Sequence, residues 1–487
     1  MVQKSLKKNT VFNAIKTFSS IIFPLITFPY ISRTLLAENV GKIHFGLSII
    51  SYFTLIASLG ITTYAIRECA AVRDDRNKLS QVSSQIFSIN IITTAVAYLL
   101  LALTLIFYSK SENYKLLITI QSLSIIFTTL GTDWINSAME DFKYITIRTL
   151  SFQVISLVLM FVFVRKPEDY LLYAVICLIS SSGANILNIW YRKKYCDIRF
   201  TLKIDWKKHL SPIILLFVMI LAQNVFANVD TTMLGLIHGD REVGIYSTAH
   251  KINSIVSQVV TSVLWVIMPR MSLYFAKKDY PAINSLLRKL LGLNCLIGFP
   301  CAVGIILMSK DIILIIGGNE FADAAPVLQL RIVSFIISLF GGNLLGNAIL
   351  LPSKKEKYYM VVCCITAVIN IITNYIFIPM YGAMAAAGTT AFCSLCIMVM
   401  LLFKVDKHIK LTKLTNLIVT PLIGCIFIVV VCLGFSFVNN IFIRALSSVI
   451  LSVLIYVAVE IIIKNELAVD LIKSVFGRLK NKKEKKS

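Results

Sequence analysis

Residues 84–107 read SQIFSINIITTAVAYLLLALTLIF, an apolar run without one charged side chain. Wound as a helix at 1.5 Å per residue it reaches about 36 Å, enough to cross the ~30 Å hydrocarbon core of a bilayer. Similar runs recur between polar breaks along nearly the whole chain. Spans are expected near 10–31, 44–66, 84–107, 116–132, 149–164 and 170–190. After the basic loop YRKKYCDIRFTLKIDWKKH they resume near 210–237, 244–268, 291–308, 327–350, 359–378 and 385–403, and two more cover 417–438 and 444–463. The expected fold class is an all-α polytopic membrane protein of about 14 transmembrane helices.

Composition agrees, with 57% of the 487 residues hydrophobic and only 15% charged, and a mean hydropathy of +0.80. About 14 helices of about 20 residues occupy roughly 290 positions, which leaves connections too short for a catalytic or nucleotide-binding domain. An enzyme is therefore not expected, and the length argument disfavours ATP-driven pumps and membrane-anchored glycosyltransferases. The N-terminal MVQKSLKKNT precedes a stretch too long for a signal peptide, interrupted by Lys16, Pro24 and Pro29, and reads as the approach to the first span.

The net charge of +23 follows from topology rather than from nucleic acid binding, since no folded domain exists to present it. With the N-terminus inside, about 36 basic residues fall on the inner side and about 9 in outer loops, so both termini are expected in the cytoplasm. Trp134, Trp190, Trp206 and Trp265 then all fall at the inner interface. The eleven cysteines lie mostly within apolar runs and suggest neither a disulfide framework nor a metal site, the Cys393–Cys396 spacing included. No nucleotide-binding, zinc-protease or nucleophile-turn motif occurs, and no cofactor or metal is expected.

An internal repeat is visible at a shift of 203 positions: Val40-Gly41 corresponds to Val243-Gly244, and Arg67 to Arg270. Six spans per copy give parallel repeats around a central cavity. The expected organisation is two pseudo-symmetric six-helix lobes, 1–208 and 209–405, then two additional helices over 406–463 and a basic cytoplasmic tail over 464–487.

Charges inside spans are costly and mark candidate sites. Lys16, Lys251 and Arg331 are candidate substrate-binding cations, and Asp230 a candidate ion-coupling carboxylate. Asp230 and Lys251 each lie about 10 Å from the outer end of adjacent helices, at matching depth. Lys16 belongs to a polar stripe with Asn9, Asn13, Ser19 and Ser20 at helical spacing. At inner helix ends, Arg67, Glu68, Asp133 and Arg270 are candidate gating residues.

FPLITFPYISRTL (23–35), GTDWINSAMEDFKYITIRT (131–149), VDTTMLG (229–235), VGIYSTAHKI (243–252), PRMS (269–272) and IIGGNEFADAAPVLQ (315–329) form an ordered set. That set resembles the bacterial polysaccharide (O-antigen) flippases of the multidrug/oligosaccharidyl-lipid/polysaccharide exporter superfamily. The resemblance implies translocation of an undecaprenyl-diphosphate-linked oligosaccharide across the bacterial cytoplasmic membrane by alternating access. Its implied partners are that lipid-linked oligosaccharide, membrane lipids and a polysaccharide polymerase or other assembly proteins. A cationic lumen suits a diphosphate. The alternative within the superfamily is an ion-coupled drug or cation antiporter.

Overall fold

The computed structural model describes residues 6–107, 114–409, 415–463, 465 and 467–469; the terminal NKKEKKS lies outside them. Among the described residues every regular element is helical: α1 (Leu6–Ser58), α2 (Ile61–Ala71), α3 (Arg76–Phe107), α4 (Lys115–Gly131), α5 (Trp134–Ala138), α6 (Phe142–Phe163), α7 (Tyr170–Leu178) and α8 (Ala184–Tyr191). They continue with α9 (Trp206–Ile237), α10 (Asp240–Lys277), α11 (Tyr280–Leu307), α12 (Ser309–Gly317), α13 (Ala324–Ser338), α14 (Glu356–Leu402), α15 (Thr415–Phe435) and α16 (Ile441–Ile462). Wider π-helical turns occupy Ile179–Gly183, between α7 and α8, and Leu339–Leu350, after α13.

Nine helices among the described residues are long and apolar enough to cross a membrane, or ten if the bent pair within α10 forms one span. Two are of double length. The 53 residues of α1 would reach about 80 Å as a straight rod, well over twice the bilayer core. The helix breaks instead at Leu36, where φ is 63° and ψ 172°, and α14 breaks at Gly382, with φ 53° and ψ −131°. Helix α14 therefore holds two of the spans read from the sequence, and α1 holds the first with most of the second, which runs on into α2; in each a single non-helical residue stands where a loop was expected. The segment after α11 is likewise folded, carrying α12 and a 3₁₀ turn, Asn319–Phe321.

At the shift of 203 positions expected for the repeat, two residues share a positive φ. Gly239, 203 positions after Leu36, also takes a positive φ, 91°, immediately before α10. Glycine adopts that conformation freely, whereas a leucine held there is strained.

Contacts divide the chain into Met1–Gly244 and Ile245–Ser487. In the first unit α1 packs against α3, α4, α6 and α9. Ile50, Phe53 and Ala57 of α1 meet Ala97 and Leu101 of α3 and Ile118 and Ile125 of α4. A separate cluster joins Ile61 and Tyr64 of α2 to Leu79 and Ile86 of α3 and Ile135 of α5. In the second unit α11 packs against α13 and α15, and α15 against α16. Leu287, Leu291 and Cys295 of α11 share a core with Leu345, Ile349, Cys425, Ile428 and Tyr456. The Tyr456 hydroxyl donates to the Leu296 carbonyl at 2.9 Å. Arg444 of α16 grips Asp311 of α12 through one guanidinium edge, its Nε 2.7 Å from Oδ2 and its Nη2 bonded to Oδ1.

Leu36→Gly should raise thermal stability, because relief of about 1–3 kcal/mol of backbone strain exceeds the ~0.5–1 kcal/mol entropic cost of glycine. Leu36 is 37% exposed, so little burial is lost. A thermal melt of the detergent-purified protein checks this; a lower midpoint would show that Leu36 is not strained.

Candidate functional site

The first unit encloses a cavity of about 370 Å³. Lys16 enters it from the first half of α1, and Thr54, Ala57 and Ser58 from the second half. Asn90 of α3, Thr128 and Thr129 of α4, Asp133, Trp134, Arg148 of α6 and Ser180 and Ser181 of the π turn complete most of the wall. Hydroxyls, amides and charges thus converge in one cavity.

The cavity exists because helices end or widen around it, and each end is answered by a side chain. The second half of α1 stops at Leu59 and Gly60, both with positive φ. The freed carbonyl of Ala57 accepts from Asn90 Nδ2 at 2.8 Å and from Thr93 Oγ1 at 2.6 Å. Helix α4 stops at Thr132, a left-handed residue with φ 44°. Arg192 reaches back to that end, donating from Nη1 to the Leu130 carbonyl at 2.8 Å and to Thr132 Oγ1 at 2.9 Å. A cation near a helix C-terminus also complements the helix dipole. Asn188 Nδ2 donates to the Gly131 carbonyl at 2.5 Å. These contacts fix the turn that presents Asp133 and Trp134 to the cavity.

Arg148 is the buried charge of the site. It is 6% exposed, and its Nη2 lies 2.7 Å from Asp133 Oδ1. Its guanidinium carbon sits 5.3 Å from the Tyr144 ring centroid. Asn136 Nδ2 also donates to Asp133 Oδ1, at 3.1 Å. Arg148 Nε and Nη1 and Trp134 Nε1 are buried without a hydrogen-bond partner. Three donor nitrogens, two of them on the guanidinium, are therefore unmet beside the cavity, and a buried donor left unmet costs about 1–3 kcal/mol. Thr146 Oγ1 donates to the Phe12 carbonyl at 2.9 Å, which ties α6 to the turn of α1 that carries Lys16.

Of the residues singled out from sequence, Lys16 and Asp133 meet in this cavity. Arg67 is exposed and pairs with its neighbour Glu68 at 3.3 Å, outside the cavity wall. Arg270 is exposed on α10 beside Pro269. Asp230 is 2% exposed in the first unit, and Lys251 is half-buried in the second. Arg331 is 7% exposed, not an anchor at the surface. It donates to the Tyr246 hydroxyl at 3.1 Å, and its Nη2 is 2.6 Å from His250 Nδ1.

Sequence reading missed Arg148 because it started the fifth span at residue 149 and assigned Arg148 to the preceding loop. The helix starts at Phe142, which brings Arg148 inside it. Trp134, expected at the interface, is instead 5% exposed in the cavity wall, whereas Trp190 is 61% and Trp206 43% exposed; the Trp265 side chain lies outside the described ones.

A helical membrane bundle around a polar, charged cavity defines a polytopic transporter. Residues 6–275 match the family described as Polysaccharide biosynthesis protein, and residues 216–376 match MatE. The chain belongs to the polysaccharide biosynthesis protein family. It is similar to an Escherichia coli (strain K12) protein named as an O-antigen transporter, 20% identical over 415 residues that cover 84% of this chain and 98% of the relative. The teichuronic acid biosynthesis protein TuaB of Bacillus subtilis (strain 168) is 21% identical, with 73% of each chain covered. Among solved structures, the fold is similar to the lipid II flippase MurJ in an inward closed conformation, with a TM-score of 0.74, 16% identity and coverage of 94% of this chain and 99% of that one. An inward-facing multidrug resistance MATE family transporter gives a TM-score of 0.62 at 13% identity, over 83% and 94% of the two chains. At these identities the likeness is one of fold.

Arg192→Ala should destabilise the protein by about 1.5–3 kcal/mol, the range for hydrogen bonds to a charged group. Arg192→Lys should recover only part of this, since an ammonium lacks the planar fork. Thermal midpoints of the two variants check the order; an alanine variant as stable as its parent would remove Arg192 as the support of this turn.

Proposed function

We propose that this chain is a flippase carrying an undecaprenyl-diphosphate-linked oligosaccharide from the inner to the outer leaflet of a bacterial cytoplasmic membrane by alternating access, for surface polysaccharide assembly. Family membership supports the cargo class, and the relatives named for O-antigen and teichuronic acid point the same way. The observation that carries the reading is the pair of cations, Lys16 and Arg148, in a cavity where two guanidinium nitrogens of Arg148 stay unmet. At an effective dielectric of about 20, each cation placed 4 Å from a phosphate charge contributes about 4 kcal/mol, which offsets loss of the head group's water. Asp133 holds Arg148 until an anion takes over part of its fork.

In this reading Lys251 and Arg331 are the substrate-facing cations of the second unit, and Asp230 responds to a coupling ion. The lobes 1–208 and 209–405 are the moving bodies, with Arg67, Glu68 and Arg270 at their inner ends and both termini in the cytoplasm. A cysteine at Lys355 should then resist impermeant thiol reagents in intact cells, and labelling from outside would invert the topology.

Arg148→Ala and Lys16→Ala should each lower glycan export at least about tenfold, equivalent to about 1.4 kcal/mol. Lys16→Arg should keep part of it, because charge matters more than shape for a hydrated phosphate. Export is read as surface polysaccharide, with lipid-linked precursor accumulating in the inner leaflet. Full export by both alanine variants at parental abundance would dismiss the site. The MatE match over residues 216–376 favours a second reading, drug or cation antiport. Loss of drug resistance in a deletion strain whose glycan export is intact would establish that reading instead.

A further inference from the structure

Between α8 and α9 the chain leaves helical conformation over residues 196–205 and lies along α3. Three backbone amides set its course. Asp197 N donates to Ser80 Oγ at 3.1 Å, Arg199 N to Ser84 Oγ at 3.1 Å and Thr201 N to Ser88 Oγ at 2.8 Å. Every second residue of the segment thus meets every fourth residue of the helix. The two steps match in length, since four helical residues rise about 6.0 Å and two extended residues about 6.6 Å. Ser80 and Ser88 direct their hydroxyl hydrogens onto the Arg76 and Ser84 carbonyls, at 2.7 Å each, which leaves their oxygens to accept. Both ends are pinned as well. Arg76 Nη2 donates to the Lys193 carbonyl at 3.0 Å, and the buried His209 ring lies 2.7 Å from Gln85 Oε1. The segment is a fixed strap on one helix.

The serine ladder also sets its depth. The uncharged run of α3 starts at residue 84, so Ser80 lies about 6 Å to its polar side and Ser88 about 6 Å inside it. The strap therefore descends from water into the membrane boundary, the level at which interfacial elements bury apolar side chains among lipids. Phe200 is 52% and Leu202 79% exposed there. Six exposed cations, Lys193, Lys194, Arg199, Lys203, Lys207 and Lys208, accompany them against two carboxylates. Both carboxylates are engaged: Asp197 pairs with Arg76 at 3.3 Å, and Asp205 accepts from the Lys208 amide at 3.1 Å at the start of α9. Arg199, Lys203 and Lys207 form no ion pair among the described residues. A soluble protein partner would reach these cations but not apolar side chains at the level of Ser88. A phosphate plane lying over acyl chains meets both.

We propose that the strap is a docking surface for anionic phospholipid, with Phe200 and Leu202 among the acyl chains and Arg199, Lys203 and Lys207 on the headgroup phosphates. Such docking goes beyond the flippase reading and is independent of the cargo.

Leu202→Cys, labelled with bimane in the purified full chain, tests it after reconstitution into phosphatidylcholine vesicles holding about one third phosphatidylglycerol, which makes their surface anionic. The parent carried through the same labelling gives the background, since its eleven cysteines are buried or half-buried. A nitroxide quencher, on the acyl carbons nearest the headgroup, is carried in equal amount either by phosphatidylglycerol or by phosphatidylcholine. The phosphatidylglycerol quencher should act at least about twice as strongly, because each cation near the surface attracts anionic lipid. Combining Arg199→Gln, Lys203→Gln and Lys207→Gln should bring the two quenchers level while the thermal midpoint stays parental. Salt at about 1 M, where charges are screened beyond about 3 Å, should level them with no further substitution. Equal quenching by both lipids at low salt would overturn the proposal, as would a preference that survives either high salt or the triple variant in its folded state. Quenching by neither lipid would also overturn it and assign the strap to water or to a protein partner.

Discussion

Hydrocarbon offers a peptide group no hydrogen bond, so a helix that ends or breaks within the membrane must find partners inside the protein. The cavity of the first unit is a consequence of that rule. Helix α1 ends at Ser58 and α4 at Gly131, and the carbonyls they release are taken up by Asn90, Thr93, Asn188 and Arg192. The side chains that satisfy the backbone form the scaffold on which Asp133 and Arg148 are presented. Polarity in this region is thus structural first, and Arg148 Nε and Nη1 and Trp134 Nε1 stay unmet after the backbone has been served.

The all-helical membrane fold was legible from run length and charge, because the bilayer imposes one simple demand on each span. The elements that escaped are those for which hydropathy has no vocabulary. Around Leu36 the polar residues Arg33, Glu38, Asn39 and Lys42 read as a loop, whereas the helix breaks at one residue only. Arg148 was hidden by the same error: polarity in the first two turns of α6 looks like an aqueous connection, yet those turns are helical and face a cavity. Lys16 was accessible to sequence reasoning as a charge within a span on a polar stripe, and Asp133 as a charge at the end of one. Their meeting in one cavity depends on packing among α1, α4 and α6, which no periodicity along a single helix encodes.

The two copies of the repeat solve the same geometric problem with different residues. The second places glycine at its positive-φ position, Gly239, and the first places Leu36 there. Equivalence therefore survives in backbone conformation where residue identity has diverged, and a comparison of side chains alone recovers only Val-Gly and arginine landmarks. Strain at Leu36 is tolerated because α1 is held on both sides of the break by α3, α4, α6 and α9.

The last two helices stand outside the repeat, which makes them look like a later attachment that the rest of the chain can do without. Their contacts argue otherwise. Tyr456 occupies the Leu296 carbonyl of α11, and Cys425 and Ile428 complete the apolar core that α11 shares with the π turn. A gene shortened to the two repeats would leave that face of the second unit wet or lipid-exposed, with a core missing one wall. Once acquired, such an extension is hard to lose again: each core substitution made in its presence raises the cost of its removal.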